Sequence, residues 1–137
     1  LVFKWFPTSR NKVQIIPWSI ENVGQYSSQA SFSIIPIDTD DSFANYKSEN
    51  KLLAMLHLDL PVLFSNTPAY SRVAKIAYLS GLVSKPTDWL DSLEEFSTDI
   101  HRRMQDKVNG RIYIDNNHTL EILVQKWTTM IAEIIES

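Results

Sequence analysis

A short polar segment, Lys47-Ser48-Glu49-Asn50-Lys51, carries the side chains best suited to hold an anion. It follows an acidic loop and opens a leucine-rich helix that we expect over 48–58. The first turn of a helix exposes unpaired N–H groups and carries partial positive charge, so it attracts phosphate. Ser48 adds a hydroxyl there, and Lys47 and Lys51 add cations. The segment could bind a diphosphate, although most helix starts bind nothing and a capped helix with solvated lysines is the simpler interpretation.

An aromatic ring and an acidic cluster are the next candidates. Trp18 follows a short strand and precedes a helix that Ser19 can cap, so its ring could form a wall of a nucleobase pocket. Aromatic residues are more often part of the core. The carboxylates of Asp38, Asp40 and Asp41 could hold a hard cation. No Gly or Glu follows them in calcium-loop spacing, which favours a solvated acidic loop and predicts no metal site.

Composition excludes several classes of function. The chain has 137 residues, of which 44% are hydrophobic and 21% charged, and this suits one domain with a real core. A net charge of −3 argues against a broad nucleic-acid surface. The absence of cysteine removes disulfides and thiol catalysis, and the three glycines are too far apart for a glycine-rich phosphate loop. The apolar runs are shorter than the ~18 residues typical of a membrane span.

Strands and helices alternate through the first 85 residues. We expect strands at 1–6, 13–16, 31–37, 61–65 and 82–83, and helices at 20–28, 48–58 and 67–78. The last of these helices has Thr67 as its cap and Pro68 as its first residue. This order predicts a parallel sheet with helices on both faces, and ligands at the carboxyl ends of the strands. Ile34 and Ile35 of the 31–37 strand are expected to be buried, with both faces covered as in parallel sheets, and the apolar run at 61–65 predicts a second buried strand. The loops to inspect are 17–19, 38–50 and 66–70.

After Pro86 the pattern is helical only. We expect one helix capped by Thr87 with Leu90, Leu93 and Phe96 directed inward, and a second helix over 99–112 that Gly110 interrupts weakly. A third helix begins at a cap, Thr119. Its apolar residues recur every three or four positions, which is the spacing of a helix face. They are Leu120, Leu123, Trp127, Ile131 and Ile134. The histidines, among them His118 in this tail, have no partners that indicate catalysis.

The order of these loops resembles a known family. It comprises 16–21 (IPWSIE), 31–37 (SFSIIPI), 47–53 (KSENKLL) and 60–70 (LPVLFSNTPAY). This order is similar to the C-terminal half of a GT-B type glycosyltransferase, in the bacterial retaining class that uses nucleotide-sugar donors. The family run is typically K-S-x-x-K-L-L-E-Y-M-A-x-G-x-P-V-(V/I)-A-S. The resemblance covers nearly the whole chain, and the final helix with its Trp also fits.

The resemblance implies a Rossmann-like domain that binds the donor. Lys47, Ser48, Glu49 and Lys51 match the helix start that faces the donor diphosphate. The residues that match the surroundings of the nucleotide are Trp18, Ser19, Ala54 and Thr67. The sugar nucleotide is a substrate, so no cofactor and no metal are implied.

Three departures from the family pattern bear on donor binding. Ala54 stands where the family has a Glu that commonly holds the donor ribose. Asp59 replaces a glycine two residues before Pro61, and Tyr46 stands where many members have an earlier acidic residue. Loss of the ribose carboxylate removes about one or two charge-assisted hydrogen bonds of ~1.5–3 kcal/mol each. Donor binding would then be weakened, moved or lost.

The resulting expectation is a partial GT-B domain, α/β in class with an all-helical tail. Residues 1–85 would form the nucleotide-sugar-binding portion and 86–137 the C-terminal helices of one domain. The chain opens at Leu1 inside an apolar run, so we expect a piece of a longer enzyme that lacks the N-terminal acceptor domain. That domain would bind the acceptor glycan or lipid, and the isolated piece should transfer no sugar.

The resemblance implies sugar transfer in bacterial polysaccharide biosynthesis, in the cytoplasm. The N-terminal domain often associates such enzymes with the inner face of the membrane, which leaves membrane association open. One alternative is a degenerate, non-catalytic GT-B-like domain with an assembly role. Another is an unrelated flavodoxin-like binding domain, which the strand order would distinguish. The sequence does not give the base, the sugar or the oligomeric state.

Overall fold

The computed structural model describes residues 15–43 and 46–136, which form a mixed α/β structure. Its helices are α1 (Ile20–Ser27), α2 (Asn50–His57), α3 (Pro68–Ala77), α4 (Trp89–Thr98), α5 (Ile100–Asn117) and α6 (Leu120–Glu136). Its strands are β1 (Ser33–Ile35), β2 (Val62–Ser65) and β3 (Leu82–Val83). The predicted strand at 1–6 and the first half of the one at 13–16 lie outside the described residues. Ile15 and Ile16, which complete the latter, are not in a strand.

The three strands form one parallel sheet in the order β1-β2-β3. Ile34 pairs with Leu63, and Phe64 pairs with Leu82. Helix α2 connects the first pair of strands and α3 the second, as parallel pairing requires a crossover. The parallel α/β arrangement predicted from the sequence is therefore confirmed at this coarse level.

Strand β2 is buried on both faces, and the two faces support separate parts of the core. Val62 and Phe64 pack on one side with α2, α3 and Ile114 of α5. The Phe64 and Tyr70 rings meet edge to face at 5.8 Å. Leu63 packs on the other side with Val83 and with Phe96 of α4. Helices thus lie on both faces of the sheet, as the sequence predicts for a strand of continuous apolar residues.

Strand β1 departs from the expectation that both of its isoleucines are buried. Ile35 is 8% exposed, but Ile34 is 50% exposed. Among the described residues β1 pairs only with β2, so Ile34 lies at an open edge of the sheet where no helix covers it. The prediction for Ile34 was wrong because an apolar run does not reveal whether a second layer is present.

Helices α2 and α3 both end on a residue with left-handed backbone. Asp59 has φ 58° and Tyr78 has φ 52°. The Asp59 N–H donates to the Leu56 carbonyl and the Leu60 N–H to the Met55 carbonyl, both at 3.1 Å. This is the bonding pattern of a Schellman cap, whose left-handed position usually belongs to glycine. Asp59 therefore occupies a position at which glycine would be the least strained residue.

Helix α5 holds the turn between α3 and β3 in place. Asp106, only 3% exposed, accepts the Ser80 N–H at 2.9 and 3.1 Å through its two carboxylate oxygens. Arg102 donates to the Ser80 hydroxyl at 2.9 Å and to the Ser80 carbonyl at 2.6 Å. Asn109 donates to the Tyr78 carbonyl at 2.9 Å. These bonds satisfy polar backbone groups that the short turn leaves unpaired.

Gly110 does not interrupt α5, which continues to Asn117, five residues beyond the expected end at Ile112. A Cβ at Gly110 would lie 2.8 Å from a methyl carbon of Leu56. The glycine therefore allows α5 to approach α2 closely. A glycine within a helical pattern predicts a weak point in the helix, but here the close packing of α5 against α2 accounts for the glycine.

Helix α4 differs from the prediction in the exposure of one leucine and in its cap. Phe96 is fully buried and Leu93 partly buried, but Leu90 is 64% exposed, so the inward prediction for Leu90 was wrong. Thr87 lies in a 3₁₀ turn (Pro86–Asp88) ahead of α4 and does not cap it. Thr119 does cap α6, accepting the Ile122 N–H at 3.3 Å. No described helix combines the length and apolarity needed to cross a membrane.

We predict that Gly81→Ala destabilises the fold by about 3 kcal/mol, because the added group must displace packed backbone. A Cβ at Gly81 would lie 1.8 Å from the Val62 carbonyl oxygen, where β3 begins beside β2. Gly24 of α1 is the matched control, since a Cβ there meets nothing within 4 Å. Gly24→Ala should be neutral or stabilise by up to about 1 kcal/mol. Urea unfolding measures both, and equal effects would contradict the close approach.

Burial raises the pKa of Asp106 above its ordinary range, against the lowering effect of the Ser80 hydrogen bonds and of Arg102. A raised folded-state pKa means that the folded protein holds the proton more tightly than the unfolded chain. This stability is present below the unfolded value of about 3.9 and is lost as pH rises through the folded pKa. Asp106→Asn does not titrate. As pH rises from the unfolded pKa through the folded pKa, the free energy of unfolding of this variant should therefore increase relative to that of the parent chain. Parallel pH–stability curves for the two proteins would contradict the prediction.

Candidate functional site

The carboxyl ends of the three strands lie at one edge of the sheet, where ligands of parallel α/β folds bind. Ser65, the last residue of β2, is buried and joins two of these ends. Its hydroxyl donates to the Ile37 carbonyl at 2.9 Å and accepts the Ile37 N–H at 2.8 Å. The chain that leaves β1 toward α2 is thereby held against β2.

The acidic loop after β1 uses its carboxylates within its own turns. Asp38 accepts the Asp40 N–H at 3.0 Å, and Asp41 accepts the Phe43 N–H at 2.9 Å. Such Asx turns shape a solvated loop. No group of three potential metal ligands occurs in the described part of the chain.

The start of α2 differs from the expected capped helix. The helix begins at Asn50, and its N-cap is Glu49, whose side chain makes no capping hydrogen bond. Ser48 is exposed and lies one residue before the cap. The first bond of the helix runs from the Leu53 N–H to the Glu49 carbonyl at 3.0 Å. Within residues 15–43 and 46–136, no side chain accepts a hydrogen bond from the N–H groups of the first turn, which is the condition under which a helix start can accept an external anion.

Glu49 forms an ion pair that the sequence did not indicate. Its carboxylate lies 2.9 Å from the Arg72 guanidinium of α3, and the Arg72 side chain is 58% exposed. Partial burial acts to raise the pKa of Glu49, but its own backbone N–H and Arg72 outweigh burial and lower it. Glu49 is therefore an acceptor, suited to hydroxyl groups, beside an exposed cation. The two residues are 23 positions apart, so no local spacing could reveal the pair.

An apolar groove brings together three of the residues singled out in the sequence. It lies along the open edge of β1 between α1 and α2 and has a volume of about 660 Å³. Trp18, 81% exposed, lies at its rim, and Lys51 and Ala54 line its α2 side. The other lining residues are Ile20, Val23, Gly24, Ser33, Ile34, Ile35, Pro36, Met55 and Leu58. Among the described residues of this lining, Lys51 is the charged one and no carboxylate is present.

The remaining sequence candidates have structural positions outside the groove. Ser19 caps α1 by accepting the Asn22 N–H at 3.1 Å. Thr67 is fully buried and caps α3 by accepting the Tyr70 N–H at 3.3 Å. The buried Thr67 hydroxyl is engaged in that cap, so it supports the loop after β2. Lys47 and Ser48 are exposed beside the start of α2.

His118 has partners, contrary to the expectation that it stands alone in the tail. Its Nε2 lies 3.3 Å from the Tyr113 hydroxyl, and the two rings are 5.2 Å apart. Burial, with Lys126 and His57, lowers the pKa of His118. Burial also raises the pKa of Tyr113. The two side chains are in contact at the C-terminal end of α5. They are five positions apart, a spacing that does not place two residues on the same face of a helix, so the sequence did not indicate the contact.

We predict that Thr67→Ala destabilises the fold by about 1 kcal/mol or more, because it removes a helix cap inside the core. Ser48→Ala should change the free energy of unfolding by less than about 0.5 kcal/mol, because an exposed residue ahead of an N-cap contributes little. Urea unfolding of both variants tests the assignment. If Ser48→Ala lowered the free energy of unfolding more than Thr67→Ala does, Ser48 would be the cap of α2 and the assignment would be wrong.

Comparisons of the chain with protein-family models, with curated proteins and with solved structures find no match.

Proposed function

We propose that the chain is the donor-binding part of a glycosyltransferase that moves a sugar from a nucleoside diphosphate to a glycan or lipid. The observation that carries the proposal is the groove in which Trp18, Lys51 and Ala54 meet. The lining of the groove comes from three of the segments that carry the family resemblance: the loop before α1, the strand β1 and the helix α2. An exposed indole at the rim offers a stacking surface for a base, and Lys51 offers a cation for a phosphate.

The uncapped start of α2 gives the proposal its electrostatic basis. Lys51 lies in the first turn of the helix, and Lys47 is three residues before its first residue. In sugar transfer the nucleoside diphosphate departs with increasing negative charge. Fixed N–H dipoles and lysines that face this charge stabilise it without reorganisation. These groups could act on the leaving diphosphate without a metal ion.

The backbone at Asp59 supports the resemblance independently of the groove. The family pattern has glycine at this position, and Asp59 adopts φ 58°, where glycine is favoured. The backbone at this position thus fits the glycine of the family pattern, although helices often end in this way, as α3 does at Tyr78. The Arg111 guanidinium, 2.8 Å from the Asp59 carboxylate, lowers the pKa of that carboxyl and offsets part of the strain.

A degenerate, non-catalytic domain with an assembly role is the second candidate. Ala54 is exposed in the groove. The described residues that line the groove include no carboxylate, so this lining offers no acidic group to the hydroxyls of a ribose. A domain that had lost donor binding would have this lining. Binding of nucleoside diphosphates by this chain separates the two candidates.

We predict that the chain binds UDP, GDP or ADP, and that Lys51→Ala weakens binding about tenfold, as expected for the loss of one charge-assisted contact. Lys75, an exposed cation in the last turn of α3, provides the matched control. Lys75→Ala should leave the affinity unchanged. Calorimetric titration measures each protein. Binding that survives Lys51→Ala intact would exclude the site, and absence of binding by the unsubstituted chain would favour the degenerate domain.

A further inference from the structure

Helix α6 has an apolar side that nothing in the described part of the chain covers. Its exposed apolar residues include Trp127, which is 62% exposed, and none of its 17 residues is buried. Ile122 alone is half-buried. It stands about 140° around the helix from Trp127 in ideal geometry. Trp127 therefore lies on a different face of α6 from the half-buried Ile122. We name the exposed face, formed by Leu120, Leu123, Val124, Trp127, Met130 and Ile131, the α6 stripe.

The spacing within the α6 stripe is that of a coiled-coil seam. Leu120, Leu123, Trp127 and Met130 are separated by three, four and three residues. This alternation places them at successive a and d positions of a heptad repeat. Val124 and Ile131 lie beside the seam and widen it. A helix with such a seam buries it most fully against another helix.

The charges of α6 argue against a lipid surface as the occupant. The helix carries Glu121, Glu133 and Glu136 against one cation, Lys126, so its net charge is 1 − 3 = −2. Helices that lie on anionic membranes carry Lys and Arg on their polar face instead. The α6 stripe is thus better matched to a protein partner.

We propose that the α6 stripe is an interface between two copies of this chain, which pair through antiparallel α6 helices. A two-fold axis between Trp127 and Met130 places each of these side chains against the other in the second copy. The same axis brings Lys126 and Glu133 of the second copy to the same side of the seam, about two residues apart along the helix axis, and this pair occurs twice. Such reciprocal contact is what a two-fold interface requires, and flanking charges set the orientation of coiled coils.

A parallel pair is less favourable for the same residues. It would align Lys126 with the region of Ile131 in the second copy and leave both lysines and both Glu133 carboxylates without cross-helix partners. The antiparallel pair also brings the Met130 sulfur to the Trp127 ring, a favourable contact for a polarisable thioether. Lys126 donates to the Asn117 carbonyl at 3.3 Å, and its ammonium retains two further protons for Glu133.

Sedimentation equilibrium of the full chain tests the proposal. We expect a concentration-dependent species of twice the 15.8 kDa chain mass. Trp127→Glu should abolish it, whereas Thr129→Glu adds the same charge on the other side of α6 and should leave it intact. Far-UV circular dichroism checks that both variants keep their helix content. A chain that stays monomeric up to millimolar concentration, or a dimer that Trp127→Glu does not weaken, overturns the proposal.

Charge reversal provides a second test that does not depend on removal of an apolar side chain. Glu133→Lys places two lysines on the same side of the seam and should weaken the dimer about tenfold. Combining it with Lys126→Glu restores opposite charges and should recover the dimer. Failure of the double variant to recover would contradict the antiparallel pairing. Donor binding involves other residues, so these results are independent of the proposed function.

Discussion

The burial of β2 on both faces is the constraint on which the rest of the structure depends. Val62 and Phe64 pack on one face and Leu63 on the other, so helices must cover both sides of the sheet. Parallel neighbours require crossover helices, and these bring the starts of α2 and α3 to the carboxyl edge. The buried Ser65 at the end of β2 holds the chain after β1 in place through Ile37. The candidate site is therefore a consequence of how one short strand is packed.

Local signals were sufficient where one residue type determines one geometry. Thr67 and Pro68 begin α3 as predicted, and the continuous apolar run of β2 is buried on both faces. The sequence was less informative where a distant contact decides the outcome. Gly110 suggested a weak helix, but its lack of a side chain allows contact with Leu56, which is 54 positions away. Ile34 had the apolar character of a buried residue and lies at an uncovered edge.

Local sequence patterns singled out residues that lie near one another, but they did not give the contacts that each residue makes. Trp18 and Lys51 do meet in one groove, but Ser48 does not cap α2, and Glu49 pairs with Arg72. Capping depends on backbone angles at a single residue, which a motif does not specify. The ion pair joins two helices that are adjacent only after the sheet has formed. The resulting edge combines free N–H groups, exposed cations and one carboxylate, which suits a ligand that carries both phosphates and hydroxyls.

The most direct test of this account is amide and indole chemical-shift mapping of the labelled chain during titration with UDP, GDP and ADP. If the groove binds the donor nucleotide, we expect one of the three nucleotides to produce saturable shifts centred on the Trp18 indole and on the backbone amides of Lys51 and Ala54. Shifts that cluster elsewhere on the molecule, or no saturable shift with any of the three nucleotides, would contradict it.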